Sequence, residues 1–109
     1  MIYRVKMYEI IPEKFELFNE FFHEYLYPNQ VQHGSKLVGR WVDLSKTKIT
    51  AIWEYETIEQ YGQIEMEIRM TELHIRAKKR KKKIEPLFFT STQEFWEMTG
   101  EYSMKENPE

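Results

Sequence analysis

The first 56 residues switch between two hydrophobic periods, and that switch constrains the fold more than anything later in the chain. From Ile2 to Ile10, Tyr3, Val5 and Met7 alternate with Arg4 and Lys6, the period of two that a pleated strand imposes. One face of this strand is apolar and the other mixed. Pro12 then suits a first helical turn. Phe15, Leu17, Phe18, Phe21, Phe22, Tyr25 and Leu26 fall on one half of a helical wheel, opposite Glu16, Asn19, Glu20, His23 and Glu24. Such a helix is suited to covering a sheet. Pro28 is expected to end or kink it, and Gly34 to turn the chain into a second strand.

Leu37 to Asp43 and Ile49 to Glu56 read as two further strands, and the polar connection Leu44 to Lys48 is short enough for an antiparallel hairpin. With Asp43 near Ile49, Gly39 would lie opposite Trp53, whose indole would cover the backbone that glycine leaves bare. Leu37, Trp41, Ala51, Trp53 and Tyr55 would then line an apolar face. Val38, Arg40, Val42, Thr50, Ile52 and Glu54 would form the other, itself half apolar, so a second subunit is expected to cover it.

Thr57 followed by Gln60 is a capping-box signature, opening a helical region that extends toward Glu85 with room for a break. Tyr61, Ile64, Ile68 and Ile75 form one stripe of this region, and Met66, Met70, Leu73 and Ala77 another on nearly the opposite side. Pro86 ends it, and a last strand is expected near Ser91 to Thr99, carrying Phe95 and Trp96. The order β-α-β-β-α-β is that of an α+β, ferredoxin-like fold with an antiparallel sheet.

With 109 residues, the reading is one domain over 1–100 and a flexible tail over 101–109. There is no cysteine, which removes disulfides, thiolate nucleophiles and thiolate metal sites together. Charges interrupt the first apolar stretch, so neither a signal peptide nor a membrane span is expected, and a cytoplasmic protein is the simplest reading. The net charge of −2 conceals a segregation: seven of the eight residues from Arg76 to Lys83 are basic, whereas the other 101 carry 9 basic and 18 acidic side chains.

Three segments in this order resemble the NIPSNAP family of dimeric α/β-barrel proteins. They are Met1-Ile2-Tyr3-Arg4-Val5-Lys6-Met7-Tyr8, the His33-Gly34 turn into Lys36-Leu37-Val38-Gly39-Arg40-Trp41, and Ile84-Glu85-Pro86-Leu87-Phe88-Phe89-Thr90-Ser91. The resemblance implies a homodimer in which two four-stranded sheets close an antiparallel barrel with helices outside, which would account for strands apolar on both faces. It implies little about activity, because that fold hosts enzymes and non-enzymes alike.

Among chemical candidates, Trp41, Trp53, Tyr3 and Tyr55 could enclose an aromatic ligand, although aromatic strand residues are more often core. Arg40 and Glu54, diagonal neighbours in the expected register, would form a buried pair that either fixes dimer register or orients a substrate. His74 lies beside the Met66/Met70 stripe. Some members of the wider fold bind haem through a histidine on this stretch, but the haem-degrading ones also use an asparagine in the first strand, where this chain has Met7. Arg40, Trp41, Trp53, Glu54 and His74 are thus the candidate pocket, with no catalytic residue, metal or cofactor assigned.

Glu20 and His23 have a metal-ligand spacing that occurs only once, and an exposed histidine is the ordinary reading. His33, before the turn glycine, reads as solvated or capping. The basic run invites phosphate contacts, but it lacks interleaved aromatics and lies toward a helix C-terminus, so nucleic acid is not the favoured partner and pairing with acidic neighbours is expected instead. There is no phosphate-cradling glycine loop, no Gly-x-Ser-x-Gly elbow and a single aspartate, Asp43. Two functional readings remain: a homodimeric accessory or small-molecule-binding protein with a hydrophobic ligand, and a cofactor-independent monooxygenase or isomerase acting on a hydrophobic aromatic molecule.

Overall fold

The computed structural model of the chain describes residues 1–102, so the expected tail lies almost wholly outside the described residues. Strand β1 (Ile2–Ile10) leads through a single 3-10 turn (Pro12–Lys14) into helix α1 (Phe15–Phe21), a π-helical segment (Phe22–Leu26) and helix α2 (Tyr27–Gln32). Strands β2 (Lys36–Val42) and β3 (Lys48–Tyr55) follow, then helices α3 (Ile58–Arg69) and α4 (Glu72–Ile84) and strand β4 (Phe88–Trp96). The four strands form one antiparallel sheet in the order β2-β3-β1-β4. This is a ferredoxin-like α+β fold.

Pro28 does not end the first helical stretch. The chain widens just before it: the Tyr27 N–H donates to the Phe22 carbonyl, five residues back, and the proline then falls in the first turn of α2, where its missing N–H costs nothing. Gly34 does make the turn into β2, at φ +107°, a conformation that side chains rarely adopt.

Half of the capping box is formed as expected, Thr57 Oγ1 accepting from the Gln60 N–H at 3.0 Å, while Gln60 Oε1 accepts from the Glu56 N–H at 2.6 Å, one residue before the cap. The break in the second helical region falls at Met70–Thr71. Thr71 caps α4 by accepting from the His74 N–H. The break also re-phases the stripes. Ile64 and Ile68 of α3 are buried, Leu73 half-buried and Ala77 of α4 buried, whereas Ile75, Met66 and Met70 are exposed, Met70 by 84%.

The β2–β3 register differs from the expected one. Val42, not Asp43, pairs with Ile49, and a bulge at Val38 puts Leu37 opposite Trp53 and Gly39 opposite Ile52. A strand inverts its faces at such an extra residue. Leu37, Arg40 and Val42 therefore share the helix-covered face with Ile49, Ala51, Trp53 and Tyr55, and Trp41 is turned to the other side. The indole that covers Gly39 is consequently that of Trp41, not Trp53: a Cβ at 39 would collide with the Trp41 ring. On β1 the helix-covered face is the mixed one, Arg4, Lys6, Tyr8 and Ile10, with Arg4 opposite Trp53.

The core between sheet and helices is in two parts. Ile10, Phe18, Phe21, Ile49, Ala77, Ile84 and Leu87 form one, and Phe22, Trp53, Tyr55, Ile64 and Ile68 the other.

Candidate functional site

At the seam between the two parts lies a cavity of about 180 Å³. Phe18 and Phe22, four residues apart and so on one helical face, form its roof with Ile68 and Ala77; Arg4, Lys6, Tyr8, Arg40, Ala51 and Trp53 form its floor. Leu26, Asn29, Gln30, Tyr25 and His74 complete the wall. An adjoining hollow of about 320 Å³ shares Lys6, Tyr8, Phe18 and His74 and extends toward Lys81 and Phe88.

The floor is an unusual place for two guanidinium groups. Arg4 is 7% exposed. Its guanidinium lies 5.2 Å from the Tyr61 ring centre and 5.8 Å from that of Trp53, and its nearest carboxylate oxygen, on Glu65, is 3.9 Å away. Arg40 lies 4.1 Å over Phe22 and 5.4 Å from Phe18, and its Nη1 donates to Asn19 Oδ1 at 2.6 Å. Aromatic faces stabilise cations in this position but accept no N–H hydrogen bond of ordinary strength. Nε of Arg4 and Nη2 of Arg40 are buried with no hydrogen-bond partner among the described residues. A buried charged donor left unpaired costs on the order of 1–3 kcal/mol or more.

The electrostatics follow from this crowding. Burial pulls the Arg40 guanidinium down to about 10, so it stays cationic at neutral pH. Burial, and then the neighbouring Arg4, lower Lys6; burial raises the Tyr8 hydroxyl, against the opposing pull of Arg4 and Arg40. The cavity therefore has aromatic walls and a concentration of positive charge, and no carboxylate among the described residues lines it.

His74 arrives through local structure. Thr71 caps α4, and Asn29 Nδ2 donates to the Thr71 hydroxyl at 3.0 Å, tying α2 to the α3–α4 break and setting His74 in the first turn, half-buried at the cavity wall.

The five residues singled out in the sequence are divided by the sheet. Arg40, Trp53 and His74 line this cavity. Trp41 and Glu54 are on the opposite face, so the expected Arg40–Glu54 pair is not formed. Glu54 instead accepts from the Tyr3 hydroxyl at 3.0 Å and pairs with Lys36 at 3.3 Å. The hairpin register is the cause: with Val42 rather than Asp43 opposite Ile49, Arg40 pairs with Ala51 and leaves the face of Glu54. Arg4, Lys6, Tyr8 and Asn29 were not singled out. The available signal was Arg4 and Lys6 in an otherwise apolar strand, which marks a cationic strip wherever that face is covered.

The remaining histidines take the ordinary readings: His23 is exposed with Nδ1 2.8 Å from the Asn19 carbonyl, and His33 lies at the same distance from the Asn29 carbonyl. The basic run differs from expectation, because no residue from Arg76 to Lys83 is ion-paired among the described residues.

No family model matches the chain, and no curated protein matches it. Solved structures do. A NIPSNAP family protein from Agrobacterium tumefaciens superposes with a TM-score of 0.79 at 15% identity, covering 95% of this chain and 98% of that one. The fold is that of NIPSNAP family proteins. A dimeric ferredoxin-like protein from an uncultured marine organism gives a TM-score of 0.60 at 20% identity, over 94% of this chain and 97% of that one. A protein provisionally assigned as an antibiotic biosynthesis monooxygenase, from Nitrosomonas europaea, gives 0.65 at 10% identity, over 92% and 100%. The NIPSNAP-like fold is thus a better match than the monooxygenase one. No described helix is long and apolar enough to cross a membrane.

Proposed function

We propose that this NIPSNAP-like chain is a homodimeric binding protein whose ligand is a small amphiphilic anion, an aromatic or branched apolar body bearing a carboxylate, held between sheet and helices. The observation that carries this reading is the pair of buried, unpartnered guanidinium N–H groups at one cavity, Nε of Arg4 and Nη2 of Arg40. A carboxylate accepts from several such donors at once, and charge-assisted hydrogen bonds are about twice as strong as neutral ones. Phe18, Phe22 and Trp53 supply the apolar contact for the body of the ligand. Homodimerisation is supported by the uncovered sheet face, where Trp41, Trp96 and Val38 are 53%, 48% and 50% exposed, and by the dimeric relative of the same fold.

Calorimetric titration with 2-naphthoate against its neutral amide tests the ligand class. Saturable binding of the acid, at least tenfold tighter than the amide and lost in Arg40→Met, is expected. Equal binding of acid and amide, or no binding of either, overturns it. Light scattering after gel filtration tests the dimer, and a monomer at tens of micromolar overturns that part.

The monooxygenase reading draws on His74, which reaches the same cavity as Trp53. It predicts dioxygen consumption with a polycyclic phenol, abolished by His74→Ala with the fold intact.

A further inference from the structure

A second cationic site lies on the outer side of the helical layer. Arg76 lies three and four residues before Lys79 and Arg80, and Lys83 four and three residues after them, so the four side chains share one face of α4. Together with Tyr25 of the π-helical segment they line a shallow concavity of about 220 Å³. None of the four is ion-paired among the described residues. The Tyr25 ring packs against Phe21, 5.4 Å between ring centres, and forms the aromatic wall of the concavity.

Helix stability does not explain this arrangement. Positive charge in a last turn complements the helix dipole, which accounts for Lys81, Lys82 and Lys83. Arg76 lies in the N-terminal half of α4, where the dipole offers it nothing, and like charges three and four residues apart repel. Glu72 is the single acid in the first turn of α4, and no ion pair offsets the repulsion within the run. The chain thus keeps a concentration of positive charge that lowers its own helical stability, inside a molecule otherwise strongly acidic.

We propose that Tyr25, Arg76, Lys79, Arg80 and Lys83 form a binding site for a ligand carrying clustered phosphate groups. Several cations converging on one concavity match several phosphate oxygens, and arginine presents its donors in the fork geometry that phosphate accepts. The single aromatic wall and the small volume favour a compact ligand over a nucleic-acid strand, whose binding uses successive stacking rings along an extended groove. The site shares Tyr25 with the wall of the Arg4/Arg40 cavity, but its four cations lie outside that cavity, and it does not depend on the function proposed there.

The test is titration of inorganic triphosphate into the full chain, followed by amide NMR shifts and calorimetry at low and moderate salt. Saturable one-to-one binding per chain is expected, with shifts centred on Arg76, Lys79, Arg80 and Lys83 and affinity falling as salt rises. Arg76→Gln/Arg80→Gln, with an unchanged circular dichroism spectrum, should weaken it roughly tenfold or more, the factor expected from losing one charge-assisted hydrogen bond. Should that double variant lose helix, Lys79→Gln/Lys83→Gln serves with the same expectation.

A second arm uses vesicles of phosphatidylcholine containing phosphatidic acid. Co-sedimentation displaced by triphosphate identifies a lipid headgroup as the source of the phosphate. Triphosphate binding without co-sedimentation identifies a soluble phosphorylated ligand. The proposal is overturned by absence of saturable binding, by shifts centred on the Arg4/Arg40 cavity, by undiminished affinity in both double variants, or by a single-stranded oligonucleotide binding where triphosphate does not.

Discussion

Trp53 and Trp41 stand on neighbouring strands of one sheet, yet Trp53 is 3% exposed and Trp41 53%. The two faces they mark also differ in how they treat polar groups. On Trp41's face the polar side chains are provided for: Tyr3 donates to Glu54, Lys36 pairs with Glu54, and Trp96 Nε1 donates to Glu94 at 2.8 Å. The Glu54 bond raises the Tyr3 hydroxyl, so that pair stays a donor and an acceptor through neutral pH. On Trp53's face, beneath the helices, two buried arginine N–H groups have no partner among the described residues. The unmet hydrogen-bonding need is therefore inside, and the unmet apolar need is outside. An outer partner has only to supply hydrophobic surface, whereas an inner one has to supply negative charge.

The sharpest way to break this comparison is to exchange each tryptophan for alanine. Trp53→Ala removes a core ring that Phe22 packs against and should cost about 3–5 kcal/mol, read by urea denaturation. Trp41→Ala should leave chain stability within about 1 kcal/mol when extrapolated to infinite dilution, while raising the concentration at which the proposed dimer dissociates. Comparable losses in the two variants would mean that the faces are not energetically distinct.

Arg40→Met probes the inner face alone. Replacing an incompletely paired buried cation by an apolar side chain of similar length is expected to be neutral or to stabilise the ligand-free protein by about 1–4 kcal/mol, while abolishing anion binding. Destabilisation beyond about 1 kcal/mol would show that Arg40 is structural, its contacts with Asn19 and Phe22 outweighing its desolvation.

The smallest effect belongs to the tip that joins the faces. Asp43 accepts from the Thr47 and Lys48 N–H groups and from the Ser45 and Thr47 hydroxyls, which holds its carboxyl well below the ordinary 3.8. A folded value below the unfolded one gives stability that is present above the unfolded value and lost as pH falls through the folded one. Asp43→Asn should thus lower Tm slightly at pH 7 and flatten its decline below pH 4. An unchanged acid limb would remove the hairpin clip from the account.

The elements were largely legible because each carries a local signal: alternation in β1, the Phe18/Phe21/Phe22 spacing, the Thr57–Gln60 box. The candidate site was legible in part. Arg40, Trp53 and His74 could be singled out by residue type, but their company could not be read from alternation, since a one-residue shift of the hairpin register, Val42 rather than Asp43 opposite Ile49, has no side-chain signature. Arg4 passed unnoticed because β1 turns its mixed face, not its apolar one, toward the helices. Which face is covered depends on contacts distant in sequence. Pro28 misled for a similar reason: it ends a regular helix, but the π-helical segment before it removes the conflict.

Val38 also bears on descent. Because Val38 and Gly39 together face Ile52, a chain lacking Val38 would pair Gly39 with Ile52 and keep Arg40 and Trp41 where they are. Length in this edge strand can thus drift by one residue without exchanging the interior and exterior roles of its neighbours. An alignment of divergent relatives that places its gap beyond Arg40 would equate the cavity cation of one lineage with the outer indole of another.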